Sequence, residues 1–286
     1  MKVSIAVVQC AIEQFAPDVN LAKAERYIQE AVAQHAHIVV FPEDFVTGPL
    51  SGNGTYADYD GRYVKLFQQL ATQYAIDIVP GSIIEGNESR LYNTTYYIAK
   101  SGEIVGRYRK VNLWLPERSY ITAGDSHPVF DTAYGRVGLI ICWDLMFPEV
   151  FRSMVRADVD LVICPSYWCF EDAGEGLKHD ANSEVKLVNA LCVTRAFENE
   201  IVLVYANAAG SERNIQGEQA DGFEEHLIGR SQITVPFKGA VSLLDHNREA
   251  MFVQEIDTAI LKDAEQSYEI RSDLRVRRLD AFSLDI

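Results

Sequence analysis

The sequence has no apolar stretch approaching the ~20 residues of a membrane-spanning helix, so no span is expected. It is also short of positive charge. With 26 Lys and Arg against 41 Asp and Glu, the formal net charge is −15, which argues against nucleic acid or an anionic membrane as partner. No Gly/Ser/Pro-rich linker, internal repeat or low-complexity tract interrupts the 286 residues, 48 % of them hydrophobic. One large domain over 1–286 is therefore expected. The six His are dispersed, and Cys164 and Cys169 have no histidine pair at ligand spacing beside them. That gives no zinc site, and no metal or cofactor is expected. There is no Gly-x-Ser-x-Gly elbow and no phosphate-cradling glycine loop, which removes serine hydrolases and nucleotide-dependent enzymes. The five cysteines are an odd number in apolar surroundings, as expected of reduced thiols in a cytoplasmic protein. The apolar run Val3–Val8 after Lys2 is too short for a signal peptide and reads as a strand.

What is present is an alternation of strand and helix periods, the pattern of an α/β protein. Leu21, Ala24, Ile28, Ala31 and Val32 predict a helix opened near Asp18 or Asn20, and Tyr63 to Tyr74 a second one. Strands are predicted at Ile76–Ile84, Leu161–Cys164 and Ile201–Ala206. Leu91–Ala99 and Glu103–Tyr108 form a predicted hairpin about Lys100-Ser101-Gly102. Val150, Phe151, Met154 and Val155 mark a further inward helix face, and Glu184–Phe197 another helix.

Three segments carry chemistry. The apolar run Val137–Ile141 ends at Cys142, and Phe147-Pro148-Glu149 opens a helix just beyond. A cysteine at such an elbow is expected to be exposed at the sheet edge with its thiolate favoured by the helix dipole, although a buried core cysteine fits the local pattern equally well. Ile38–Phe41 ends in Pro42-Glu43, a carboxylate where open α/β sheets present their chemistry. Gly106–Arg109 ends in Lys110, and Glu117 follows within Leu115-Pro116-Glu117-Arg118. A Glu or Lys after a strand is usually a solvated loop charge, so each segment is weak alone. Asp144 reads as a cap of the following helix, and Arg195 with Glu198, three apart, as a structural ion pair.

In this order, Phe-Pro-Glu, then Tyr-Arg-Lys with Pro-Glu-Arg, then Ile-Cys-Trp-Asp, the chain resembles the nitrilase superfamily of carbon–nitrogen hydrolases. The resemblance extends through Asn93, Tyr134–Gly138, Arg195–Asn199 and Gly229-Arg230-Ser231. It implies a four-layer αββα sandwich and a catalytic set of Glu43, Lys110 and Cys142, with Glu117 as a second glutamate near the substrate. Cys142 would be the nucleophile and Glu43 the proton shuttle, while Lys110 and the backbone N–H of Trp143 would hold the oxyanion. The resemblance also places the loop after Leu161–Cys164, with Tyr167 and Trp168, against the substrate. Cys-Trp-Asp followed by Phe-Pro-Glu looks like the amidase and carbamoylase branches, so a small amide or carbamoyl amine is the expected substrate. A nitrile is the alternative, and a catalytically silent binding protein on the same scaffold is the rival from another class. The family's habit of pairing subunits, with an arginine-dense tail (268–286) in an acidic chain, implies a homodimer or higher homo-oligomer with that tail at the interface. Residues 211–225 are expected to form a long polar loop.

Overall fold

The computed structural model describes residues 1–87, 89–210 and 226–276. The loop expected at 211–225 and the end of the arginine-dense tail lie outside them. The order of elements is β1 (Lys2–Gln9), α1 (Pro17–Ala33), β2 (Ile38–Val40), α2 (Arg62–Tyr74), β3 (Asp77–Val79), β4 (Ser82–Asn87), β5 (Arg90–Ile98) and β6 (Ile104–Arg109). After these come β7 (Val129–Thr132), β8 (Gly135–Leu139), α3 (Pro148–Arg156), β9 (Leu161–Ser166), α4 (Ser183–Asn199) and β10 (Val202–Asn207). The chain ends with β11 (Gln232–Val235), β12 (Gly239–Leu243), β13 (Ala250–Asp257), α5 (Ala259–Tyr268) and α6 (Ile270–Val276).

The strands form two sheets of mixed direction. The first runs β13-β1-β2-β3-β5-β4 with β6 added on β5, and the second β12-β11-β10-β9-β8-β7. β1, β2 and β3 are parallel, as are β8, β9 and β10, and the flanking strands are antiparallel. Side chains alternate across a strand, so Ile5, Val7, Ile38 and Val40 face the second sheet while Ala6, Val8 and Val39 face α1 and α2. Both faces of the first sheet are thus covered, which is why its central strands read as continuous apolar runs. Val150, Phe151 and Met154 of α3 and Val188, Cys192 and Ala196 of α4 close the outer face of the second sheet. The order of layers is α1/α2, sheet, sheet, α3/α4, the four-layer αββα arrangement.

Local chemistry sets the boundaries. Asp58 accepts from the N–H groups of Arg62 and Tyr63 (2.9 and 3.0 Å) and so satisfies the first turn of α2, whose Tyr63, Phe67, Leu70 and Ala71 form its buried stripe. The strand expected over 76–84 is divided into β3 and β4 at Pro80-Gly81. Gly81 has φ +76, and a Cβ there would lie 1.8 Å from the Pro42 carbonyl oxygen, so the break lets the chain carrying Glu43 pass. Asn20 does not cap α1, which already starts at Pro17. Its buried amide instead bonds to Glu13 and donates to the Val46 carbonyl (2.9 Å), fastening the helix to the loop after Glu43. Arg271, within the arginine-dense segment, is buried in its own chain and donates to the carbonyls of Val159 (2.6 Å) and Glu200 (2.8 Å).

Candidate active site

Four of the residues singled out from sequence meet at one end of the two sheets. Glu43 lies three residues beyond β2 and Lys110 directly after β6. Glu117 opens a single 3-10 turn, and Cys142 follows β8. The Lys110 ammonium is 2.8 Å from Glu43 Oε1 and 2.8 Å from Glu117 Oε2. All three side chains are buried, Lys110 with 2 % exposure. Cys142 is 7 % exposed and has φ +46, a left-handed conformation rare outside glycine. The polar groups that act on its sulfur are Glu43, Ser166 and the Tyr167 N–H. The Tyr167 N–H also donates to Glu43 Oε2 at 2.9 Å, so both sheets hold the Glu43 carboxylate.

The electrostatics correct one expectation. Burial, then the charge of Glu43, pushes the Cys142 thiol well above its ordinary range. The expected helix, α3, starts only at Pro148, beyond a 3-10 turn over Cys142–Met146. The cysteine therefore rests as a buried thiol and needs a base. Burial also raises Glu43, against the pull of Lys110. For Lys110, burial favours the neutral amine, but the charges of Glu43 and Glu117 outweigh it and hold the proton on.

Two supporting residues have roles that the sequence pattern does not reveal. Asn93, in the middle of β5 and fully buried, donates from Nδ2 to Glu43 Oε1 (2.9 Å) and Glu117 Oε1 (3.1 Å). Its carbonyl accepts from the Lys110 N–H at 2.8 Å, so this one residue touches three of the four. A lone Asn in the Tyr/Thr-rich strand Arg90–Ile98 is the available signal. Asp144 does not cap α3 as expected, because the N-cap of that helix is Phe147, with no side-chain cap bond. Its carboxylate accepts from the Ile141 N–H (3.0 Å), the Tyr108 hydroxyl (2.7 Å), and the Asn112 N–H and Nδ2 (2.9 Å each). The cysteine elbow is thereby tied to the loop that carries Lys110. Arg195 pairs with Glu198 as expected and also donates to the carbonyls of Leu145 and Met146 behind the elbow.

The four residues open onto a cavity of about 510 Å³, within the range of small-molecule sites. Trp114, Trp143 and Tyr120 line it, as do Tyr167 and Trp168. Trp143 stands between Trp114 and Trp168, with ring centroids 4.3 and 5.5 Å away. Trp168 is fully buried, and its indole N–H donates to Glu184 (2.6 Å), so it is a fixed wall of the cavity.

The sequence profile of the carbon–nitrogen hydrolases matches residues 4–264. The chain belongs to the carbon–nitrogen hydrolase family. Its homologues act on C–N bonds other than peptide bonds, and this chain is an enzyme of that kind. It is 29 % identical to the N-carbamoylputrescine amidase of Arabidopsis thaliana, over 90 % of this chain and 87 % of that one. The 2-oxoglutaramate amidase of Bacillus subtilis is 28 % identical, over 96 % and 98 %. Among solved structures, an amidase from Nesterenkonia sp. AN1, with an acetamide moiety attached to its active-site cysteine, superposes with a TM-score of 0.77. That match has 21 % identity and covers 98 % of this chain and 95 % of the other.

Proposed function

We propose that this hydrolase cleaves a small amide or carbamoyl amine through a thioester on Cys142. The observation that carries the reading is a buried cysteine, Cys142, beside the buried carboxylate of Glu43, with the Lys110 ammonium 2.8 Å from that carboxylate. In this scheme Glu43 takes the thiol proton as the sulfur adds to the carbonyl carbon. The oxyanion forms against Lys110 Nζ and the Trp143 N–H. Collapse of the adduct breaks the C–N bond, Glu43 returns the proton to the leaving nitrogen, and ammonia or amine departs. Glu43 then draws a proton from water, which attacks the thioester, and the released thiol regains it. Glu117, bonded to Lys110, Asn93 and the Trp114 N–H, keeps the ammonium aimed.

The relatives' names span an anionic amide and a cationic carbamoyl amine, so membership leaves the substrate open. A panel of small amides, carbamoyl amines and nitriles, with ammonia release measured for the wild type and Cys142→Ala, tests the proposal. Release from amides or carbamoyl amines, abolished in the variant, is expected, with an acyl adduct of a slow substrate on Cys142 by mass spectrometry. Turnover of nitriles alone, or an adduct on another cysteine, overturns it.

A further inference from the structure

The chain contains three tryptophans, and all three line the cavity. They stand in a row. Trp143, next to the nucleophile in sequence, has Trp114 on one side and Trp168 on the other, with ring centroids 4.3 and 5.5 Å away. The Trp168 end of the row is bonded at all three of its polar atoms. Its backbone N–H donates to Asn207 Oδ1 (2.8 Å), its carbonyl accepts from the Ile228 N–H (3.0 Å) and Asn207 Nδ2 (3.2 Å), and its indole N–H donates to Glu184 Oε2 (2.6 Å). Glu184 belongs to the first turn of α4, on the outer face of the second sheet, and is only 7 % exposed. A carboxylate is a costly group to bury, and its bond to the indole is charge-assisted and stronger than one to a neutral acceptor. A ring held in this way and packed against Trp143 resists displacement, and so does the Trp143 ring in front of it.

We infer that Glu184 is a positioning residue for this cavity: acting through Trp168, it fixes the Trp143 ring beside Cys142, and the row of indoles sets an abrupt upper limit on the group attached to the scissile carbonyl. This rests on the hydrolase reading for the reaction at Cys142, but the limit can be read from binding as well as from turnover. The probes are straight-chain primary amides from acetamide to heptanamide, which share ammonia as leaving group and differ only in the acyl chain. Two readings are taken across the series. One is kcat/KM for the wild type, Glu184→Leu, Glu184→Gln and Trp168→Phe. The other is Kd for Cys142→Ala, alone and combined with each of those substitutions, followed by the fluorescence of the three indoles.

In the wild type, one methylene beyond the limit should cost at least ~10-fold in kcat/KM, the lower end of what an extra methylene costs in a rigid apolar pocket. The same step should shrink to about threefold or less in Glu184→Leu and in Trp168→Phe, which keeps an aromatic ring but loses the indole N–H. Glu184→Gln retains a carbonyl acceptor for the indole and should retain the step. A purely structural role for Glu184 would lower every amide by one common factor and leave the step unchanged, and that result in Glu184→Leu and Trp168→Phe overturns the inference. If one of these two fails to fold, the other decides, and a wild type without an abrupt step overturns the inference with no variant at all. If the Cys142→Ala chain binds the series with the step and the wild type hydrolyses none of it, the hydrolase reading fails and the inference stands. If short amides are hydrolysed but the step is absent or unmoved, the inference fails and the hydrolase reading stands. Absence of binding and turnover for every amide overturns both.

Discussion

Replacing Asn93 by leucine, of similar volume, removes one donor shared by two carboxylates and leaves the strand otherwise intact. Each lost bond is to a charged acceptor, worth about 1.5–3 kcal/mol. Lys110 stays within 2.8 Å of both Glu43 and Glu117, so neither carboxylate is left bare. The low end then applies to each bond, and the total of about 3 kcal/mol corresponds to roughly a hundredfold loss in kcat/KM. Stability should change less than activity. Asn93 Oδ1 is buried without a hydrogen-bond partner, and its removal returns on the order of 1–3 kcal/mol.

The sign of the pH effect follows from the same geometry. Donors to a carboxylate favour its ionised form, and Glu43 already sits above its ordinary value because it is buried. Without Asn93 it rises further. A general base must be ionised to act, so the acid limb of kcat/KM against pH should move to higher pH in Asn93→Leu, with part of the loss recovered there. The assay is ammonia release from a neutral amide across the pH range, with urea midpoints measured in parallel. An unshifted acid limb, or kcat/KM within about threefold of wild type, a difference near 0.65 kcal/mol, would refute the reasoning.

Lys110→Met leaves two buried carboxylates facing each other, so the rate should fall by at least ~10²–10³ and stability by about 3–5 kcal/mol. Normal turnover would remove Lys110 from the mechanism. Asp44 has a folded pKa above its unfolded value, so its contribution to stability is full below about pH 3.8 and is lost as pH rises through the folded value. The melting temperature of Asp44→Asn should therefore gain on wild type as pH increases, and a constant difference would contradict this. The full-length chain should sediment as at least a homodimer, and a monomer at micromolar concentration would count against an interface role for the tail. Truncation after Val276 is the informative deletion, because cutting after Ser267 also removes the Arg271 bonds inside the subunit and should lower its own melting temperature.

Positions read more easily from the sequence than their couplings did. Cys142, Glu43 and Lys110 each end an apolar or alternating run, and the ends of runs are visible in one dimension. The pairing of β5 with both β4 and β6, which buries Asn93 between two glutamates, is a property of sheet order. The same holds for Asp144, whose partners Tyr108 and Asn112 lie more than thirty residues upstream on the other sheet and its trailing loop. The thiol is raised rather than lowered because burial of the elbow outweighs a helix start six residues downstream. The intervening 3-10 turn and the burial of the elbow are tertiary facts. Pro80-Gly81 could have been recognised as a break, since proline within a central strand argues against continuity.

The division of the site between the sheets ties activity to the packing that joins them. Glu43, Asn93, Lys110 and Glu117 come from the first sheet and its loops, and Cys142, Ser166 and Tyr167 from the second. Among the described residues, the polar contacts that span the gap beside the site include Glu43 N–H to the Ser166 carbonyl (3.2 Å), Tyr167 N–H to Glu43 and Tyr108 to Asp144. Between them the sheets are held by apolar side chains such as Ile5, Val7, Leu139 and Val204. Such close-packed layers shift when atoms are deleted, so a loss in this core moves the thiol relative to its base. Proton transfer depends on that separation more steeply than folding does. The apolar interface between the sheets is therefore as much a part of the catalytic geometry as the polar residues at its edge.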